Sequence, residues 1–328
     1  MIATRTPLRV SLVGGGTDLP AFYEREPGAV LSTAINQYVW VTVKRHSELF
    51  FEPIRLNYKE SEEVNHVEEL RNDIARETMR YLEIEPPIYI STVGDVPAST
   101  GLGGSSAFCV GLLNALHTFK GERVSAGQLA EEACHIEMEV LGHPIGKQDQ
   151  YAAAFGGLNV FRFRPGGSVS VEHQYVSSDK RAALFRSMLM FWTGHQRDAN
   201  EVLEEQSANV GGELERMRRM RDQVDELQTL LRDGELDVSA VGALLDEGWR
   251  MKRQLASHIT NDRIDAWYER ALAHGAYGGK LCGAGNGGFL LFLAPPERHA
   301  ELRQVFAELV ELPVSEEAHG SSIAAPFA

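Results

Sequence analysis

The 328-residue chain is 43% hydrophobic and 24% charged, which fits a folded protein with a sizeable core and excludes a disordered one. Its length favours two domains. A net charge of −14 argues against a nucleic-acid binder, which needs a basic face, but leaves room for a local basic pocket around an anionic small molecule.

Short apolar runs dominate the first part. "PLRVSLV" (Pro7–Val13) and "YVWVTVKRH" (Tyr38–His46) read as strands, being rich in branched and aromatic residues, and "PPIYISTVGDVP" reads as a third strand bounded by prolines. A helix is predicted from about Ser105 to Lys120, with Phe108, Leu112, Leu116 and Phe119 as its apolar stripe, and another over roughly Ala126–Leu141. "GGLNVFRFRPGGSVSVEHQY" then reads as a hairpin and "SMLMFWTG" as a strand. The charged run from Gly211 to Gly234 is a helix with a seam of Met217, Met220, Val224, Leu227 and Leu231, which suits packing on a sheet or in a bundle better than an extended coiled coil. Two more helices follow, then "YGGKLCGAGNGGFLLFL" and a last helix near "PERHAELRQVFAEL". The whole reads as an α+β chain of two domains, 1–178 and 179–328.

Cys109, Cys134 and Cys282 are far apart, with neither a CxxC pair nor a metal spacing, which suits a reducing cytoplasm. The first residues carry arginines inside their apolar stretch and do not read as a signal peptide. The apolar run "FLLFLAPP" is too short to span a bilayer. A cytoplasmic enzyme with no membrane or nucleic-acid partner is the expectation. The sequence leaves open whether it works alone or as a homodimer.

Three glycine clusters stand out. In "LVGGGTDLPAFYE", Gly14, Gly15 and Gly16 follow a strand, forming either a plain turn with Asp18 as a helix cap or a strand end that offers Thr17 and Asp18 to a ligand. "PASTGLGGSSA" has no lysine after its glycines, so it is not a Walker A loop. It still has the parts of an anion cradle. Gly101, Gly103 and Gly104 allow close approach to the backbone, and Ser105 and Ser106 stand where a helix offers free amides and its positive dipole end. A capped helix needs one serine, not three glycines as well. "KLCGAGNGGFLLFL" matches GxGxxG in letters, but a strand follows where a dinucleotide site needs a helix, so its loop should pack on a ligand or on another loop.

Together, in this order, the three clusters resemble the motifs of the GHMP family of small-molecule kinases over nearly the whole chain. The resemblance implies the two-domain GHMP kinase fold, with an N-terminal domain like domain 2 of ribosomal protein S5 and a ferredoxin-like C-terminal domain. It also implies ATP with Mg²⁺, and makes Gly101, Gly103, Gly104, Ser105 and Ser106 the phosphate-binding loop.

In "QLAEEACHIEMEVLG", Ala130, Ala133, Cys134, Glu137 and Leu141 share one helical face, while Glu131, Glu132 and Glu139 are expected to meet water. A carboxylate on that apolar stripe needs a cationic side chain or a metal ion. The resemblance to mevalonate kinase selects the second, with Glu137 and Ser106 as magnesium ligands. Asp149, in "KQDQ", is either a helix cap or, by resemblance to galactokinase and mevalonate kinase, the catalytic base or orienting group. One residue more than in mevalonate kinase separates it from the Pro-Ile-Gly run. Lys147 beside it either serves the transferring phosphoryl group or is solvated. Arg9, inside an apolar strand, needs a partner, and the galactokinase resemblance pairs it with Asp149. Asp18 matches the family's sugar-binding Asp, which suits a carboxylate accepting hydroxyl hydrogens.

A glycine triplet stands where galactokinase has Gly-Glu-His. With "FWTGHQRDA" and "GWRMKRQLASHITNDRIDAWYERALAHGAYGG", it makes the chain most like the heptose 7-phosphate 1-kinases of bacterial surface-polysaccharide pathways, with fucokinase close by. That implies phosphorylation of an anomeric hydroxyl on a sugar phosphate; the alternatives are a neutral sugar such as fucose, or a nucleotide-binding module without catalysis. Gly15, Gly16, Thr17, Asp18 and Gly285 are the expected substrate contacts. Arg197, Arg250, Lys252 and Arg253 are the candidates for a substrate phosphate, Arg197 and Lys252 preferred.

Overall fold

A computed structural model describes residues 1–47, 49–196 and 200–324. β1 (Ile2–Val13) is followed by a four-residue helix, α1 (Pro20–Tyr23), and by β2 (Gly28–Arg45). The alternating half of β2 is the stretch predicted from sequence; its first eight residues are all buried, so covering on both faces removes the period-two signal there. β3 (Ile54–Asn57), β4 (Ser61–Val64) and α2 (Asp73–Tyr81) then precede β5 (Ile88–Gly94). α3 (Gly104–Phe119) is the glycine-loop helix.

The predicted Ala126–Leu141 helix is two pieces, α4 (Ala126–Cys134) and a π-helical turn over His135–Val140. α5 (Gln148–Phe155), the hairpin β6 (Leu158–Phe163) with β7 (Val169–His173), and α6 (Ser178–Arg186) come next. β8 (Met188–Trp192) leads to the long α7 (Asn200–Arg232), α8 (Val238–Lys252) and α9 (Asp262–Ala273). The chain ends with β9 (Gly278–Leu281), β10 (Phe289–Leu293), α10 (His299–Val305), β11 (Val310–Glu311) and β12 (Ser322–Ile323).

Two sheets organise these elements. In the first, in the order β12-β1-β2-β5-β3-β4, β2 pairs with β1 along one edge and with β6 and then β5 along the other. The second runs β11-β8-β10-β9, all antiparallel. Strand alternation splits the second sheet between two cores. Met188, Met190, Phe289, Leu291 and Leu293 join the core of the first sheet and α3. Leu189, Phe191, Leu290 and Phe292 face Trp249, Trp267, Tyr268 and Phe306.

The predicted seam of α7 divides the same way, Val224, Leu227 and Leu231 in the first core and Met217 and Met220 in the second. α7 therefore ties the halves together. β12 returns to the first sheet beside β1, Thr4 opposite Ile323, although it lies in the expected second domain. Between the sheets, the N-termini of α3, α5 and α7, the end of α8 and the β9–β10 loop meet around one cavity of about 280 Å³.

Candidate active site

The α3 end of the cavity is built by backbone. Gly103 caps α3 in the left-handed region at φ 79° with no side-chain cap, so the amides of the first turn have no intrahelical acceptor. A Cβ on Gly104 would meet nothing within 4 Å, which leaves that turn open to a ligand. Gly101 has φ 81°, and a Cβ there would lie 2.3 Å from the Cys282 carbonyl oxygen. On Gly283 a Cβ would lie 2.3 Å from Gly101 Cα, and on Gly288 the same distance from the Thr100 carbonyl oxygen. The third glycine cluster thus packs on the second, backbone to backbone, and leads into β10 rather than a helix. Gly285 lines the cavity, with its α-carbon against Ile259.

At the other end, Arg9 reaches from β1 to Asp149 in the first turn of α5. Its Nε donates to Oδ1 at 2.7 Å and its Nη2 to Oδ2 at 2.8 Å, while Nη1 donates to the Gly101 carbonyl at 2.7 Å. Arg9 is buried; the Asp149 side chain keeps 25% exposure, on the cavity side. One fork therefore fixes the carboxylate and the glycine loop relative to each other. Asp149 is the second residue of α5 and not its cap.

Asp18 is buried, its Oδ1 accepting from the Gly16 amide at 2.9 Å. Burial first, and then the Asp149 charge, hold its pKa above the ordinary range. Gly146 makes this possible, since a Cβ there would lie 2.0 Å from Asp18 Oδ2. Lys252 is buried at the end of α8, its ammonium donating to the Gly283 carbonyl. Burial and the Arg9 charge push its pKa down to about 8, against the pull of Asp18 and Asp149.

Glu137 sits in the π-helical turn with no exposure. Ser105 Oγ donates to its Oε1 at 3.0 Å and Gln150 Nε2 to its Oε2 at 2.7 Å, and Ser106 also bonds it. Among the described residues these partners are all neutral. Burial raises its pKa, and the charge of Asp149 adds to the rise.

Fourteen of the expected contacts can be placed, and twelve of them line the cavity. Arg9, Gly16, Asp18, Lys252 and Asp149 meet at the end away from α3; Gly101, Gly103, Gly104, Ser105, Ser106, Glu137 and Gly285 line the rest. Thr17 departs from the expectation. It has no exposure, and its hydroxyl bonds the Gly14 and Ala29 carbonyls and the Ala29 amide, so it knits the loop to β2. Gly15 lies behind the cavity, on a small void beside Lys280. Arg197 lies outside the described residues.

Arg250 pairs with Asp246 and Arg253 with Asp265, away from the cavity, as solvated helix charges do. Lys147 donates to the Gly167 carbonyl at 2.7 Å and approaches Glu131, so it serves the hairpin. Glu132, expected in water, is buried, and its Oε2 accepts from His117 Nε2 at 2.7 Å. Sequence reading missed Gln206 and Lys280: a glutamine on a charged helix and a lysine in a short strand carry no local signal of burial.

Residues 65–157 match the GHMP kinases N terminal domain, and residues 227–310 match GHMP kinases C terminal. The chain belongs to the GHMP kinases. Among curated relatives, it is 32% identical to the D-glycero-alpha-D-manno-heptose 7-phosphate kinase of Campylobacter jejuni, over 92% of this chain and 91% of that one. It is 28% identical to the bifunctional fucokinase/GDP-fucose pyrophosphorylase of Arabidopsis thaliana, over 94% of this chain but 31% of that protein. The fold superposes on a D-glycero-D-manno-heptose 1-phosphate kinase from Bacteriodes thetaiotaomicron with a TM-score of 0.81, 25% identity and full coverage of both chains. This GHMP kinase is a phosphotransferase that uses ATP.

Proposed function

We propose that this GHMP kinase transfers the γ-phosphoryl group of ATP to the anomeric hydroxyl of D-glycero-D-manno-heptose 7-phosphate in the cytoplasm, giving the 1,7-bisphosphate. One observation carries the reaction type: the open first turn of α3 and the Arg9-held carboxylate of Asp149 share a single cavity. The substrate rests on similarity to the two heptose-phosphate kinases.

In this reading the amides of Gly101–Ser106 bind the ATP phosphates, where the helix dipole favours negative charge. Asp18 accepts hydrogen bonds from sugar hydroxyls and holds the ring. Asp149 accepts from the anomeric hydroxyl and aims its oxygen at the γ-phosphorus. Both of its oxygens already serve Arg9, which weakens it as a base, so positioning is its main contribution. Phosphoryl transfer suits this, because a loose transition state asks for alignment and charge neutralisation more than early proton removal. As the new O–P bond forms and the bond to ADP breaks, the hydroxyl proton passes to Asp149.

Lys252 lies within electrostatic reach of Arg9, Asp18 and Asp149. A phosphate on C7 is at the far end of the sugar from C1, so we assign Lys252 to charge at the reacting end. The substrate's own phosphate falls to Arg197: Arg197→Ala should raise KM for the heptose phosphate and not for a neutral sugar.

The donor set of Glu137 fits a divalent cation. A fully buried carboxylate with hydroxyl and amide partners, and a second carboxylate nearby, lacks a compensating charge among the described residues. Glu137 and Ser106 would hold Mg²⁺, whose hard-cation chemistry neutralises phosphate charge.

The test is ADP release with a panel of D-glycero-D-manno-heptose 7-phosphate, fucose, galactose and mevalonate. We expect kcat/KM for the heptose phosphate to exceed each of the others by at least about a hundredfold. Preference for fucose would move the assignment to the neutral-sugar reading, which the similarity to the fucokinase protein supports. Tight ATP binding with silence on every sugar would leave only a binding module.

A further inference from the structure

Gln206 is a buried polar side chain lining the cavity to which the mechanism above gives no task. It lies on α7, 2% exposed, and among the described residues its Nε2 has no hydrogen-bond partner. A buried amide donor without an acceptor is costly and rare in folded proteins. Its surroundings explain where an acceptor belongs. Asn200, Leu203 and Gln206 follow one another at three-residue spacing and all line the cavity, so one stripe of α7 looks into it.

The amide end of Gln206 rests on Gly16. A Cβ at Gly16 would lie 2.4 Å from Gln206 Nε2, so residue 16 is bare where the amide needs room. The Gly16 amide in turn donates to Asp18 Oδ1. Gln206 and Asp18 therefore flank the same residue, one bringing an unspent donor and the other a carboxylate acceptor.

We infer that Gln206 is a specificity-determining contact for the acceptor: its Nε2 donates to a sugar hydroxyl whose own hydrogen goes to Asp18. A hydroxyl is the group that takes both bonds at once. An acceptor without that hydroxyl leaves the amide unpaired in the complex, and such a loss discriminates more strongly than a missing apolar contact. The inference rests on the sugar-kinase reading and adds a residue to it.

The experiment compares wild type with Gln206→Leu and Gln206→Glu, using D-glycero-D-manno-heptose 7-phosphate and its monodeoxy analogues. In Gln206→Leu, KM for the sugar should rise about tenfold while KM for ATP stays unchanged. Its Tm should match or exceed that of wild type, because the leucine removes a buried donor that has no partner in the free protein. Gln206→Glu places a second acceptor beside Asp18 and should raise the sugar KM further. One deoxy analogue should weaken wild type as much as the Leu substitution does and cost the Leu variant nothing more.

An unchanged sugar KM in Gln206→Leu, or a parallel rise in both KM values with a lower Tm, overturns the inference and leaves the kinase reading standing. If wild type itself turns over no sugar, the kinase reading falls and takes the inference with it.

Discussion

Asp149 receives two hydrogen bonds from a single guanidinium and still faces the cavity, so its place is fixed while its oxygens keep lone pairs for a substrate. Asp149→Asn retains the shape but loses the charge and the proton acceptor, and one fork bond turns repulsive. We expect kcat to fall by about two to four orders of magnitude, with ATP affinity within a few-fold of wild type by titration calorimetry. Near-normal turnover would remove Asp149 from the chemistry. For Glu137 the argument is about charge. Glu137→Gln keeps the hydrogen-bonding shape beside Ser105 and Ser106 and removes the carboxylate, so half-maximal activity should need at least about tenfold more Mg²⁺. An unchanged magnesium titration would separate Glu137 from the metal.

At this scale much was legible. Arg9 and Glu137 stood out as charges among apolar neighbours, and the structure gives Arg9 a partner and, among the described residues, leaves Glu137 without a counter-charge. Thr17 was misread because its motif position hides the fact that its hydroxyl is spent on Gly14 and Ala29. Gln206 was invisible because Gly16, the residue against its amide, is some 190 residues away in the chain.

At the level of elements, the glycine loop before α3 separates two demands on glycine. Gly101 is required by its left-handed φ and by the Cys282 carbonyl, whereas Gly104 faces open space. Gly101→Ala should lose about 1–3 kcal/mol of stability, read as a lower Tm. Gly104→Ala should keep its Tm and weaken ATP binding, because its methyl enters the room left for phosphates. Equal Tm losses would mean that both glycines serve packing alone. The helices were readable because their apolar stripes survive in the fold, as the α7 seam does. The early half of β2 was not, since strands covered on both faces lose alternation. The π-helical turn at Glu137 was also hidden, because its extra residue leaves no mark on composition.

For the whole molecule, the shared core predicts joint behaviour of the two halves. One face of the second sheet and part of α7 belong to the first sheet's core. Buried charge at the junction adds a pH dependence. Lys280 on β9 donates to the Ser11 carbonyl of β1 at 2.8 Å, and burial with the neighbouring Lys252 charge pushes its pKa down to about 7. Above about pH 7 the folded state releases a proton that the unfolded chain keeps until about pH 10.5, so stability from this group rises with pH across that window. Lys252 acts in the same direction from about pH 8. Compared with Lys280→Met, wild type should therefore gain more Tm between pH 7 and pH 9, and parallel profiles would contradict the burial argument.

The sugar-kinase account is tested most directly by the product. With ATP and D-glycero-D-manno-heptose 7-phosphate, phosphorus NMR should show one new phosphate coupled to the anomeric proton, formed one-for-one with ADP. An unchanged heptose signal, or a new phosphate on any other carbon, would contradict it.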